Sequence, residues 1–337
     1  MSKVTIKDVA ARADVSISTV SRYLNGNTKI EPLSKMRIEQ SIRELNYIPN
    51  ASARSLKSQS TYVIGIVVSD IANSFFIRVC KAFESIITSY GYNLLICSTY
   101  EDQERERKYI KMLSERRVDA MVICPSGKNQ DLLRDLHVSG MPIIIVDRDF
   151  GESQIDTLAE NHEEAAYQLT KKLLDAGHTR IAVLAGMNHS KAAQDRLVGV
   201  RRAYEDEGLA FDESYLYENL SEERAAYEAI EKALSQHQPC TAVFALNPKL
   251  TRGATVYFIK NHIAVPSMIA FAGITIKDDT KLLPFDFDRA EQDPDKIGLK
   301  AGEMIIKYLR DKKTQTGKAI RIIFEQQIIK DGSDGNR

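Results

Sequence analysis

Nowhere in this 337-residue chain do about 18 apolar residues run together, so nothing in it reads as a membrane span. Cysteine is scarce. Cys80, Cys97, Cys124 and Cys240 are scattered and lack C-x-x-C spacing, which argues for reduced core thiols in a cytosolic protein and against a disulfide framework or a metal site. The six histidines (137, 162, 178, 189, 237 and 262) do not cluster. There is no Walker A sequence, no G-x-S-x-G, no H-E-x-x-H and no G-x-G-x-x-G after a strand. An enzyme is therefore not expected, nor a cofactor or metal. Residues 1–15 read as helical and mixed in charge, unlike a signal peptide, so a cytoplasmic location is expected. An excess of one charge is missing too, with 46 basic and 46 acidic side chains. That balance hides an asymmetry: residues 1–60 hold ten Lys/Arg and five Asp/Glu, a surplus of +5, and the remainder carries −5. A basic N-terminal segment on an acidic body suits an anionic partner such as nucleic acid.

What is present starts with SISTVSRYLNG at 16–26, where five side chains carry a hydroxyl, one is Arg22 and none is acidic. On a helix, Val20 and Leu24 share one side with Ile17 at its edge, and Ser18, Arg22 and Asn25 share the other. The open face offers donors and one cation, which suits phosphates and base edges. Upstream, Thr5 and Asp8 make a capping-box start, and Ile6, Val9, Ala10 and Ala13 form one apolar stripe. Asp14-Val15-Ser16 is a tight connection in which Ser16 can cap the next helix. Two short helices so joined are the helix-turn-helix pattern. A third helix follows, with Pro32 in its first turn and Ile38, Ile42 and Leu45 as its stripe; Pro49 ends it.

From Tyr62 on, strand and helix alternate. Buried-strand runs are 62–69, 92–97, 119–124, 142–147, 180–186, 241–246 and 268–274. Amphipathic helices lie near 75–90, 102–116, 130–139, 163–176, 194–207, 222–236 and 250–262. The alternation predicts doubly wound parallel sheets, and the number of strands predicts two α/β lobes. Ligands in such folds bind at the carboxyl ends of strands, here in the cleft between lobes.

The stretches VTIKDVAARADVSISTVSRYLNG, ELNYIPN, ARSL, GIVVSDIANSFF, RRVDAMVI, VDR and AGHTRIAVLAG follow one another in this chain. Together they resemble the LacI/GalR family of bacterial transcription regulators over essentially its whole length. The resemblance implies an α/β protein with a helix-turn-helix headpiece (1–48), a hinge helix or linker (49–60), a two-lobed periplasmic-binding-protein-like core (61–332) and a short tail (333–337). Lobe one would take about 61–160 plus 291–318, and lobe two about 161–290 plus 319–332. It implies a homodimer on a pseudo-palindromic operator in double-stranded DNA, with one recognition helix per protomer in the major groove. No heptad helix follows the last strand, which favours a dimer over a tetramer. Carried over by position, Ile17, Ser18 and Arg22 would face bases, Ile17 only loosely because its wheel position is near the core edge. Thr5, Ser16, Thr19, Ser21 and Asn25 would serve phosphates. Leu56 would wedge into the minor groove, steadied by Tyr47 and Asn50, with Lys57 adding a groove or backbone contact.

The same resemblance implies effector contacts from Ser69, Asn73, Phe75, Asp147, Arg148, Ser190, Arg196 and Gln292. His178, in the family's Gly-His motif, would be structural. Three stretches depart from the family: Asn247-Pro248-Lys249 for Asn-Asp, Gly273-Ile274-Thr275-Ile276 for a Gly-aromatic-Asp-Asp, and 285–291 for Leu-Thr-Thr-Ile. Thr275 replaces a carboxylate that would accept from neutral sugar hydroxyls. With it gone, Lys249, Arg148 and Arg196 would meet fewer carboxylates. The favoured expectation is therefore a repressor of a carbohydrate-utilisation operon, switched by an anionic sugar, either a sugar acid or a sugar phosphate. A neutral sugar or nucleobase, and a degenerate pocket under a protein co-regulator, remain alternatives. A solute-binding protein would leave residues 1–60 unexplained, and a +5 segment is modest for sequence-independent DNA coating.

Overall fold

The computed structural model describes residues 4–24, 29–48, 60–148, 154–279, 285–311 and 318–330. The chain divides into two compact units, Met1–Thr61 and Tyr62–Arg337.

In the N-terminal unit, α1 (Ile6–Ala13) begins at the anticipated capping box. The Asp8 carboxylate accepts from the Thr5 backbone N–H and from the Thr5 hydroxyl, both at 2.8 Å. Asp14 takes a left-handed φ of 53° at the turn. Ser16 Oγ then accepts from the Thr19 N–H at 3.1 Å, capping α2 (Ile17–Leu24). The third helix, α3 (Pro32–Glu44), buries Ile38. Val9, Ala10, Ala13, Val20, Ile38 and Tyr47 make one apolar cluster that seats all three helices.

Among the described residues the core unit holds two six-stranded sheets. The first contains β1 (Val63–Val68), β2 (Asn93–Ser98), β3 (Ala120–Ile123), β4 (Ile143–Asp147), β5 (Asp156–Glu160) and β11 (Arg321–Phe324), in the order β11-β5-β4-β3-β1-β2. The second contains β6 (Ile181–Leu184), β7 (Leu216–Tyr217), β8 (Ala242–Ala245), β9 (Ala270–Ile276), β10 (Asp288–Gln292) and β12 (Gln327–Ile329), in the order β12-β10-β9-β8-β6-β7. Every pair is parallel except β10 with β12. Parallel strands covered on both faces explain the near-continuous apolar runs, with β3 and β4 buried at every position.

The covering helices are α4 (Ser74–Ile87), α5 (Gln103–Glu115), α6 (Gln130–Val138), α7 (His162–Asp175), α8 (Lys191–Asp206), α9 (Glu223–Leu234), α10 (Pro248–Lys260) and α11 (Pro294–Asp311). Strands β5, β7, β10, β11 and β12 and helix α11 go beyond the sequence expectation. The strands among them are short or mixed in polarity (DTLAE, LY, DRAEQ, RIIF, QII), so no apolar run announces them. All four cysteines are buried and free, and burial lifts the Cys80 and Cys240 thiols to about 12 and about 11. His178, half-buried, holds Thr241 Oγ1 at 3.1 Å. Among the described residues no helix is long and apolar enough to cross a membrane.

Two lobe boundaries need correction. Residues 321–324, expected in lobe two, form β11 and pair with β5 of lobe one, Arg321 opposite Thr157. Glu291 and Gln292, expected in lobe one, complete β10 in lobe two, opposite Thr275 and Ile276. Short edge strands carry no pattern that selects one sheet over the other; hydrogen-bond partners decide it.

The chain crosses between lobes at Asn161, at Asp293 and at Glu325-Gln326, and one carboxylate ties these crossings together. Glu160, 6% exposed, ends β5. Its Oε2 accepts from Gln292 Nε2 at 2.7 Å and from Gln326 Nε2 at 3.1 Å, while its Oε1 accepts from the Asp293 N–H at 2.9 Å.

Gly199 lies where α8 meets α7. A Cβ there would come within 2.1 Å of the Glu163 carbonyl oxygen, a backbone atom that cannot swing aside. Gly199→Ala is expected to push the two helices apart and cost about 1–3 kcal/mol, as overpacking does. Urea unfolding checks this, and an unchanged midpoint would show that the helices separate freely.

Candidate functional site

Two surfaces carry the chemistry, one in each unit. On α2, Ser16, Ile17, Ser18 and Arg22 are exposed, and Thr19 and Ser21 are half-exposed. The first turn of α2 holds no acidic residue, so no carboxylate offsets its positive dipole end. Ile17 is 46% exposed and stands with this open set, beyond what its wheel position allows. The Thr5 hydroxyl is turned to Asp8. Tyr47 needs correction: it is 9% exposed and packed in the three-helix cluster. The chain turns at Asn46, with φ of 47°, and the Tyr47 N–H bonds the Ile42 carbonyl at 3.0 Å, folding the ring back onto the core. Asn25, Asn50, Leu56 and Lys57, with residues 49–59 of the expected hinge segment and the tail at 333–337, lie outside the described residues.

In the core unit a cleft of about 400 Å³ opens between the carboxyl ends of the two sheets. Ten of the eleven expected residues line it: Ser69, Asn73 and Phe75 after β1, Asp147 and Arg148 at β4, Ser190 and Arg196 after β6, Asn247 and Lys249 after β8, and Gln292 at β10. This is where doubly wound sheets present their loops. Asn73 caps α4 through the Phe75 N–H at 3.0 Å, and Asn247 caps α10 through the Leu250 N–H at 2.8 Å. Two helix N-termini therefore face the cleft with their positive ends.

Thr275 is the exception. It is 3% exposed within β9, its hydroxyl donates to the Ala290 carbonyl at 3.4 Å, and it does not line the cleft. Beyond the expected Asp147, carboxylates come from other loops. Asp70, Glu101, Asp147 and Glu222 line the cleft against Arg148, Arg196 and Lys249. Arg148, 3% exposed, gives Nη1 to Glu101 Oε2 at 2.9 Å and Nη2 to Glu101 Oε1. Its Nη1 also donates to the Pro125 carbonyl at 3.1 Å. Lys249 Nζ lies 3.4 Å from Glu222 Oε1. The premise of an excess of cations is thereby corrected for two of the three: Arg148 meets Glu101 and Lys249 meets Glu222, whereas among the described residues Arg196 has no carboxylate at ion-pair distance and its buried Nε has no hydrogen-bond partner.

Behind the cleft the charges are coupled. Asp147 sits at a left-handed φ of 69° with Oδ1 3.5 Å from His162 Nε2. Burial pushes its carboxyl up, but the His162 ring and the charges of Arg148 and Arg196 outweigh that and hold it below the usual carboxylate range. Burial draws the Arg196 guanidinium down from its usual value, against the pull of Asp147 and Glu160. Arg196 Nη2 lies 3.1 Å from His162 Nδ1. Arginine only donates, so Nδ1 accepts and the ring proton sits on Nε2, toward Asp147. His162 thus links a lobe-one carboxylate to a lobe-two guanidinium.

Sequence reasoning missed Tyr100, Glu101, His162 and Glu222. The strand-end rule applies to β2 as it does to β1 and would have reached Tyr100 and Glu101.

Residues 61–328 match the family described as periplasmic binding proteins and sugar binding domain of the LacI family, and residues 5–50 match bacterial regulatory proteins, lacI family. The chain belongs to the LacI family. It is 34% identical over 96% of both chains to the HTH-type transcriptional repressor PurR of Vibrio campbellii. Among solved structures, the lac repressor dimer bound to operator and the anti-inducer ONPF superposes with a TM-score of 0.82 at 21% identity, covering 98% of each chain. The transcriptional regulator CelR in complex with cellobiose gives 0.69 at 22% identity, covering 98% of this chain and 100% of that one. These two likenesses speak to the fold. As a LacI-family member the protein is a DNA-binding transcriptional repressor with an effector-binding domain, and not an enzyme.

Proposed function

We propose that this LacI-family repressor reads a pseudo-palindromic operator as a homodimer through α2. Its operator affinity is switched by an uncharged, ring-containing metabolite in the interlobe cleft. Ser18 and Arg22 read base edges with Ile17 beside them, and Ser16, Thr19 and Ser21 hold phosphates. Leu56 and its neighbours act at the centre of the operator. Switching is linkage: the ligand binds one arrangement of the lobes better, and DNA affinity changes by the coupling free energy, typically about 1–3 kcal/mol.

The observation that carries the uncharged effector is the pairing of Arg148 with Glu101 and of Lys249 with Glu222. A cleft in which two of the three cations already meet carboxylates offers donors and acceptors side by side. That suits hydroxyls and ring nitrogens better than a lone phosphate or carboxylate. Phe75, Phe76 and Tyr100 add aromatic surface for a ring. The sugar acid or sugar phosphate suggested by the substitution at Thr275 loses its support here. A carbohydrate operon stays the reading only if a neutral sugar is the ligand.

A thermal-shift screen of the full chain tests this, with neutral sugars, nucleobases, uronates and sugar phosphates at saturation. A ligand that binds only the folded state adds roughly 2.7 kcal/mol at about 100 times its Kd. A shift with a sugar or base, and none with the acids, is expected. A shift confined to the acids or phosphates would overturn the uncharged effector.

A further inference from the structure

The loop after β2 contains a feature that the family reading does not account for. Tyr100 and Glu101 stand in succession at φ of 54° and 60°. Non-glycine residues enter this left-handed region rarely, and two in a row are costly unless their surroundings enforce them. Both flanks of the turn are fixed. The Asp102 N–H bonds the Thr99 carbonyl at 3.1 Å, and Asp102 Oδ1 caps α5 through the Arg105 N–H at 2.7 Å. The turn presents the Glu101 carboxylate, side chain 25% exposed, to the fork of Arg148, side chain 3% exposed. The acid therefore lies between the buried guanidinium and the open part of the cleft. Asp147 does not fill that fork: its Oδ2 is 3.9 Å from Arg148 Nε, and its Oδ1 is turned to His162.

We propose that Glu101 sets the charge specificity of the cleft. It occupies the two guanidinium nitrogens that would otherwise grip a ligand carboxylate or phosphate, and so keeps anionic ligands off Arg148. The inference rests on the cleft being the effector site. Guanidinium binds carboxylate and phosphate in the same two-pronged geometry, so an internal carboxylate competes directly with an anionic ligand. Removing it empties the fork while Arg148 keeps its bond to the Pro125 carbonyl.

The test uses the full chain and two probes, inorganic phosphate and D-glucuronate, titrated calorimetrically at constant ionic strength. The wild type is expected to take up neither. Glu101→Ala is expected to bind at least one of them at least about tenfold more tightly than the wild type, the scale of one freed charge-assisted pair. The double variant Glu101→Ala with Arg148→Ala is expected to lose the gain, locating it at Arg148. Should the alanine variant fail to fold, Glu101→Gln keeps the shape and gives the same readout with a smaller gain. A folded variant that gains nothing, with the wild type still refusing both probes, overturns the role of Glu101 and leaves the uncharged-effector reading standing. A wild type that already binds either probe as tightly as the variant overturns both.

Discussion

Replacing Glu160 with alanine should destabilise the core unit by about 3–5 kcal/mol, the range seen when one member of a buried charged network is removed. Three donors are affected: Gln292 Nε2 and the Asp293 N–H would lose their acceptor inside the protein, and Gln326 Nε2 would keep only His162 Nδ1, at 3.1 Å. All three belong to chain crossings between the lobes, so hydrogen exchange should rise together at 161, 293 and 326. A loss below about 1 kcal/mol would show that water replaces the carboxylate and that the node is not a lock. Glu160→Gln separates charge from shape. Burial lifts the Glu160 carboxyl above its usual range, against its hydrogen bonds and the His162 ring. A raised folded value means that the group's contribution is fully present below the unfolded value and is lost as pH rises through the folded one. The advantage of the wild type over Glu160→Gln should therefore be largest in mild acid and shrink toward neutrality. A constant gap across that window would mean that Glu160 does not titrate differently in the fold.

Arg22→Ala should weaken binding to an operator selected in vitro with the wild-type chain by at least tenfold. A bidentate arginine–guanine contact is worth about 1–3 kcal/mol of discrimination. Arg22 is exposed on α2, a turn beyond Ser18 and away from the buried Val20, so its loss leaves the three-helix cluster intact. Fluorescence anisotropy across salt concentrations distinguishes the ways it could act. A loss specific to the operator marks base reading. A uniform loss on all DNA, with the salt slope reduced by about 1, marks a phosphate contact. Affinity within twofold of wild type would remove Arg22 from the interface.

Much of the molecule was legible before folding because its signals are local. The capping box of Thr5 and Asp8 and the cap at Ser16 follow from side chains that reach backbone groups within three residues. Strands β1, β3 and β4 follow from apolar runs that need both faces covered. Ten cleft residues follow from the resemblance to the family, whose effector contacts stand in loops at strand carboxyl ends. Signals of this kind depend on neighbours along the chain, and sequence displays those.

Whatever depends on partners far along the chain was decided by tertiary structure alone. Thr275 is withdrawn from the cleft by its place in β9, and Tyr47 is drawn into the core by a left-handed turn at Asn46. The sheet that β11 joins, and the three crossings gathered on Glu160, depend on hydrogen bonds spanning more than a hundred residues. Above all, the charge of the cleft could not be summed from the residues expected there. Glu101 reaches Arg148 across 47 positions and Glu222 reaches Lys249 across 27, and a carboxylate changes a guanidinium's chemistry only by arriving within a few ångströms of it.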